Sequence, residues 1–276
     1  MKKKRSIYSW IVTCILALGV FICWFPLLMA LMNSFKTNRE LFTNIIALPS
    51  SLKMDNYIRT WEKMHYLRSF CNTAFLAVLA VILIVVFAAM AGWKLCRVKT
   101  RLSSFLFGLF VFSMLIPFSS IMIPLYRMIL TLGIKNSLAG LAFVYAGMSV
   151  SMTIFLYHGF VKSVPYELEE AALIDGCGDI KRFVLIVFPL LRPITFTIII
   201  TNVLWIWNDF LLPLIVIGRQ QQYTLLLSTN TLFGQYSSDW TAILAALILS
   251  ALPMILFYSI FQKNIIKGIA DGALKG

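Results

Sequence analysis

A charged, helix-competent segment, Glu167-Leu168-Glu169-Glu170-Ala171-Ala172-Leu173-Ile174-Asp175-Gly176, lies between two long apolar stretches of this chain. Ile186-Val187-Phe188-Pro189 follows ten residues after the glycine. The chemistry these residues suit is recognition. Small alanines let a short helix enter a groove closely, and glutamates beside them hold orientation by charge pairing at the rim. Ser163-Val164-Pro165 predicts the helix start, with proline in the first turn. Glu167, Glu169 and Glu170 then lie near the positive end of the helix dipole. Leu168, Ala171, Ala172 and Asp175 share one face by i, i+3, i+4, i+7 spacing. Gly176 predicts a left-handed C-cap after about three turns. Asp179 is expected to cap a second helix from Ile180, and Pro189 to open the entry into the next apolar stretch. An amphipathic helix resting on lipid headgroups fits the same composition, but three glutamates would repel an anionic leaflet, which favours a protein partner.

Few other residues offer chemistry. Asp209 lies about 16 residues beyond Pro193, roughly 24 Å along a helix, toward one end of its span. An ionisable group inside a span should face the bundle or a cavity. The alternative is a carboxylate that reaches outside water or caps Asn208. Trp205, Trp207 and Phe210 beside it could stack on sugar rings, although packing is the commoner use. Trp205, Asn208 and Asp209 are the candidates for a translocation path. A proton relay is not supported by one such group. The cysteines Cys14, Cys23, Cys71, Cys96 and Cys177 form no C-x-x-C pair, and only His65 and His158 are present, so no metal or catalytic centre is expected. No G-x-x-x-x-G-K-[ST] phosphate loop occurs.

The elements that position these groups are set by composition. The chain has 276 residues, 60% hydrophobic and 13% charged, which makes bilayer the expected solvent. Six stretches are long and apolar enough to cross it: about 7–35, 69–93, 102–126, 136–161, 193–218 (interrupted by Asp209) and 240–262. Each reads as a helix, because backbone polar groups in lipid must be satisfied internally. The fold class is all-α integral membrane. The net charge of +13 is a topology signal rather than a nucleic-acid one. With the amino terminus inside, most of the 24 basic residues fall on inside segments, including Lys2, Lys3, Lys4, Arg5, Lys94, Arg97, Lys99, Arg101, Lys162, Lys181, Arg182, Arg192 and Lys275. Both termini are then cytoplasmic. The first apolar run is too long for a cleaved signal peptide, so it is expected as a retained helix.

Pro117 and Pro124 predict bends in the third span. Gly133–Ser137 reads as a turn, and Ala139, Gly140, Ala142, Ala146 and Gly147 predict close helix contact in the fourth span. The segment 36–68, with Pro49, Asp55, Tyr57 and Trp61, reads as an external cap. Three regions follow: 1–68 as first helix and external connection, 69–262 as the main membrane domain with a loop at about 162–190, and 263–276 as an inside, glycine-rich tail.

The spacing Glu-Ala-Ala, three residues, Gly, nine residues, Ile-x-Phe-Pro resembles the cytoplasmic EAA loop of ABC-importer permeases. From Ile123 to Gly276 the chain resembles the carbohydrate-uptake branch, specifically the maltose-permease G-type subunit. Val164-Pro165-Tyr166-Glu167-Leu168, Trp205-x-Trp207-Asn208-Asp209-Phe210-Leu211-x-Pro213-Leu214 and Gly268-Ile269-Ala270-Asp271-Gly272-Ala273-Leu274-Lys275-Gly276 carry the likeness. Phe188 stands where leucine is usual, and Cys177 where Ser or Ala is common. The loop 94–101 matches more loosely, so no functional residue is carried over there.

The resemblance implies a type I ABC-importer permease fold in a prokaryotic cell membrane and transport without enzymatic activity. ATP would be bound by a separate subunit, with no cofactor in this chain. Expected partners are a second, F-type permease subunit, an ATP-binding cassette ATPase dimer, an extracytoplasmic sugar-binding protein and the lipid bilayer, with no nucleic acid. Glu169, Glu170, Ala171, Ala172, Asp175, Gly176, Ile186 and Pro189 would couple to the ATPase. The loop from Arg219 to Asp239, with Tyr223-Thr224-Leu225 and Tyr236, resembles the region facing the binding protein. Alternatives are an ABC permease for another solute, such as a phosphorylated polyol, and an ion-coupled secondary transporter or multipass membrane enzyme.

Overall fold

The computed structural model describes residues 7–234 and 238–273. Lys2–Arg5, Tyr236, Leu274, Lys275 and Gly276, named above, lie outside them. The described residues are helical with no strand: α1 (Ile7–Ser34), α2 (Asn38–Thr43), α3 (Asp55–Lys63), α4 (Tyr66–Arg97), α5 (Arg101–Ser113), α6 (Phe118–Thr131) and α7 (Leu138–Val161). Then come α8 (Glu167–Ile174), α9 (Asp179–Arg182), a π-turn (Phe183–Val187), α10 (Phe188–Leu190), α11 (Arg192–Asn208), α12 (Leu211–Val216), α13 (Leu225–Ser228) and α14 (Trp240–Ala273).

Four helices, in α1, α4, α7 and α14, are long and apolar enough to cross a bilayer among the described residues. Six crossings result if two bent pairs each count as one: α5 with α6, bent by 105°, and the 179–190 stretch with α11, bent by 78°. The first bend falls at Pro117, whose backbone is extended (φ −69°, ψ 145°) and which cannot donate to the preceding turn. Pro124, also expected to bend the chain, sits inside an unbroken α6. The sixth span falls where expected, at Trp240–Gln262, while the helix itself continues to Ala273, since glycines lower helix propensity without removing a backbone donor.

The chain forms two units, the described residues of Met1–Tyr66 with Ser228–Pro253, and those of Leu67–Leu227 with Met254–Gly276. In the first unit, Lys36 is buried, and its Nζ donates to the carbonyls of Asn44 (3.0 Å) and Ile45 (3.1 Å) just past α2. Asn56 donates to the carbonyls of Ser34 and Lys36, 2.8 Å each, which ties α3 to the end of α1. Arg59 pairs with Asp239 at 3.2 Å, and Trp61 stacks on Tyr66 at 4.1 Å.

The second unit carries the main core. The turn before α7 forms as expected, with Gly133 and Asn136 left-handed and Ser137 accepting from the Gly140 N–H. Gly92 of α4 lies against α7 so closely that an added Cβ would sit 2.7 Å from Cβ of Tyr157. Gly140 is equally tight against Ile134. Gly147, by contrast, has nothing within 4 Å, so the expected close contact is not made there. Polar pairs cross between α7 and α11: the Tyr157 hydroxyl with Thr195 at 2.9 Å, and the Ser149 hydroxyl to Asn202. In an apolar surround, each such bond spares two groups the cost of desolvation without a partner.

Candidate functional site

The acidic segment forms a helical hairpin, with α8 on one side of a glycine turn and α9 on the other. α8 starts at Glu167, two residues after Pro165, and has no side-chain cap. Ser163 was expected to start it, but its hydroxyl donates back to the Phe160 carbonyl at the end of α7. The helix has eight residues, about two turns rather than three. It stops in a Schellman turn: Gly176 has φ +79°, its N–H donates to the Leu173 carbonyl at 3.0 Å, and the Cys177 N–H donates to Ala172 at 2.9 Å. The glycine therefore does what its position predicts.

The faces of α8 differ from the sequence reading. Glu169, 2% exposed, and Ala172, 6% exposed, point inward at i, i+3 spacing. Ala172 thus does not share the open face with Leu168, Ala171 and Asp175. That face carries Glu167, Leu168, Glu170, Ala171, Leu173, Ile174 and Asp175. Its outermost point is Ile174, 86% exposed, with Ile180 at 71% beyond the turn. An apolar tip ringed by carboxylates suits a cleft with an apolar floor and a basic rim.

Burial of Glu169 is possible because α4 supplies its partners. Trp93 Nε1 donates to one carboxylate oxygen at 2.9 Å and Arg97 Nε to the other at 2.8 Å. Arg97 also donates to the Val164 carbonyl at 2.7 Å, just ahead of α8. Across the turn, Asp179 accepts from Lys94 and from Arg182 (2.6 Å). It was expected to cap a helix from Ile180. Instead Gly178 precedes the helix, and the Asp179 side chain is spent on these two cations. Trp93 lies at the centre, 5.4 Å from the Phe183 ring and under both the Lys94 ammonium and the Arg182 guanidinium. Removing one member of a buried ion pair costs about 3–5 kcal/mol, because the other charge is left unpaired.

Ile186 lies half-buried in the π-turn, with Phe183 and Val187 pointing into the core on either side. Pro189 sits in α10, where its missing N–H costs little, and the chain turns at Leu191 before α11. The entry into the span is therefore Arg192-Pro193 rather than Pro189. Sequence reasoning passed over Trp93, Lys94, Arg97 and Arg182. The available signal was an aromatic and two cations within one turn at the end of a span, facing an acidic helix.

Asp209 ends α11, and its carboxylate, one residue ahead of the α12 N-cap Phe210, accepts from the open N–H groups of Leu211 (3.0 Å) and Leu212 (3.4 Å). The Tyr145 hydroxyl donates to its other oxygen at 2.8 Å, and Trp205 lies edge-on to Tyr145 at 5.2 Å. Asn208 turns back and donates to the Leu204 carbonyl. The stretch 193–218, expected as one helix with Asp209 inside it, is instead two helices that part at Asp209, and Tyr145 connects Trp205 with Asp209 while Asn208 stays apart.

Apolar helices long enough to cross a bilayer, two bent pairs and a helical hairpin after α7 describe a polytopic helical membrane protein. Residues 84–271 match the family described as binding-protein-dependent transport system inner membrane component, and the chain belongs to that family. It is a multi-pass ABC-importer permease, a transport protein and not an enzyme. Over 276 residues it is 38% identical to a probable starch degradation products transport system permease protein, AmyC, of Thermoanaerobacterium thermosulfurigenes, covering 99% of each chain. It is 34% identical to the melibiose/raffinose/stachyose import permease protein MelC of Bacillus subtilis, covering 100% of both. A crystal structure of a bacterial ABC transporter involved in import of the acidic polysaccharide alginate superposes with a TM-score of 0.82 at 19% identity, over 95% of this chain and 98% of that one. That likeness establishes the shared fold.

Proposed function

We propose that this chain forms half of the pore of an ATP-driven importer for a sugar or oligosaccharide, and that the α8–α9 hairpin receives the ATPase stroke. The observation that carries the reading is full-length similarity to permeases named for starch products and for melibiose, raffinose and stachyose. The hairpin adds to it: Ile174 and Ile180 stand exposed beside Glu170 and Asp175, a surface that needs a partner. The partners are a second permease subunit, a pair of ATP-binding cassette subunits that hold the ATP, and an extracytoplasmic sugar-binding protein. The protein resides in a prokaryotic cell membrane with the hairpin and both termini in the cytoplasm, in keeping with the positive-inside bias. Closure of the ATPase pair draws this hairpin and its counterpart together, and the bundle moves between inward- and outward-facing states.

The test is reconstitution of the four-part complex in lipid, measuring uptake of labelled sugars together with ATP hydrolysis. Glu170→Lys, on the exposed face, is expected to leave membrane insertion intact and abolish stimulation of hydrolysis by loaded binding protein. Normal uptake and stimulation in that variant would remove the coupling assignment. A phosphorylated polyol remains the rival solute, and ligand titration of the cognate binding protein decides between them.

A further inference from the structure

The Glu169 side chain sits on the coupling hairpin but faces away from any docking partner. It is 2% exposed, and both oxygens are taken by the last turn of α4. Arg97 is 16% exposed and holds Glu169 and the Val164 carbonyl at once, so it spans the junction between α7 and α8. Lys94, one turn earlier, reaches the far side of the glycine turn at Asp179. Two independent tie points thus fix the hairpin to α4, one on each side of Gly176. Toward α11 the hairpin continues along the chain through a π-turn at Phe183–Val187 and a turn at Leu191, features at which helices bend.

We propose that Glu169 is a positioning residue which, with Trp93 and Arg97, clamps the hairpin to the inner end of α4, so that hairpin and α4 move as one rigid body. The stroke then enters the bundle through α4 first, and α11 follows through its π-turn. This rests on the coupling reading given above. A second observation supports it: Arg182 Nε is buried, makes no hydrogen bond, and lies 4.0 Å from the Glu169 oxygen that Trp93 already holds. The carboxylate therefore has a cation in reserve, which keeps it compensated if the Trp93 bond loosens during the stroke.

The test uses the complete complex in lipid nanodiscs with native cysteines replaced. Spin labels go at Phe87→Cys on α4 and Ile174→Cys on the hairpin tip, positions 60% and 86% exposed. The expected result is one narrow distance distribution, unchanged between nucleotide-free and ATP-trapped complexes. In Glu169→Gln the distribution broadens, and ATP hydrolysed per solute imported rises severalfold. Arg97→Lys, which keeps the charge but cannot hold both acceptors, shifts the same readouts less. A wild-type distance that changes between the two states overturns the proposal, and so does a Glu169→Gln complex with wild-type distance and stoichiometry. Should Glu169→Gln not assemble, the wild-type measurement and Arg97→Lys still decide. Crosslinking of Ile174→Cys to the ATPase separates the two levels. If the crosslink forms while the distances vary, only the clamp fails; if it never forms, the coupling reading fails.

Discussion

Gly176 gives the sharpest test of how the hairpin is built. Its φ of +79° is left-handed, and nothing lies within 4 Å of the place a Cβ would take. An alanine there meets no steric obstacle, so any effect must come from the backbone. A left-handed L-residue costs roughly 1–2 kcal/mol, and asparagine costs less because its side chain tolerates that region. That energy is enough to lower the population of the native turn about 5- to 30-fold against open alternatives. The turn holds two hydrogen bonds, at 3.0 and 2.9 Å, and it sets Asp179 opposite Lys94. Gly176→Ala should therefore lower uptake and stimulated ATP hydrolysis together while the complex still assembles, and Gly176→Asn should recover a good part of both. The assay is paired uptake and hydrolysis in nanodiscs at saturating binding protein. Equal, full activity in both variants would show that the turn's conformation does not matter. Equal, complete loss in both would show that the space is occupied by a partner, so that sterics rather than φ governs the position.

Gly92→Ala should destabilise the fold by about 1–3 kcal/mol, since its Cβ would meet Cβ of Tyr157 at 2.7 Å; a lowered melting temperature in detergent checks this. Asp209→Asn should keep the hydrogen bonds to the first N–H groups of α12, whereas Asp209→Ala should lose them, at about 1 kcal/mol. If uptake nonetheless falls as far in the asparagine variant, the carboxylate charge acts on the solute. Glu40 is held down to about 2 by the Ser50 hydroxyl and then by the Thr37 N–H and hydroxyl. Its support of the 37–50 segment is complete above its ordinary value of 4.5 and is lost only as pH falls through about 2. Hydrogen exchange near pH 3.5 should find that segment still protected in the wild type and opened in Glu40→Gln. Asp239 follows the same sign. Burial alone would push its carboxyl up, but the Ala242 N–H, Thr241, Asn38 and Arg59 hold it below the usual value, so Asp239→Asn should mimic strong acid there.

Apolar run length placed the first, second, fourth and sixth spans, since hydrocarbon thickness dictates it with little help from context, whereas the third and fifth, expected as single helices, are bent. Gly176 was legible for a similar reason, as a left-handed turn is a property of one residue. Pro117 was readable as a bend and falls just ahead of α6, at a helix start, whereas Pro124, identical in kind, lies inside α6. Glu169 was misplaced because helical spacing gives angles around an axis without saying which angle faces the body. Its neighbours Glu167 and Glu170 are chemically alike, and only α4 tells them apart.

A helical membrane protein, the four unbroken spans and the stopping point of the acidic helix were legible in the residues alone. Those follow from solvent, length and single-residue backbone preference. Packing was needed to show that Glu169 turns inward, that Trp93 and Arg97 receive it, and that the chain breaks at Asp209 with Tyr145 bound there. Each of these contacts joins residues more than sixty positions apart, and no local pattern records which distant donor will be present when a carboxylate is buried.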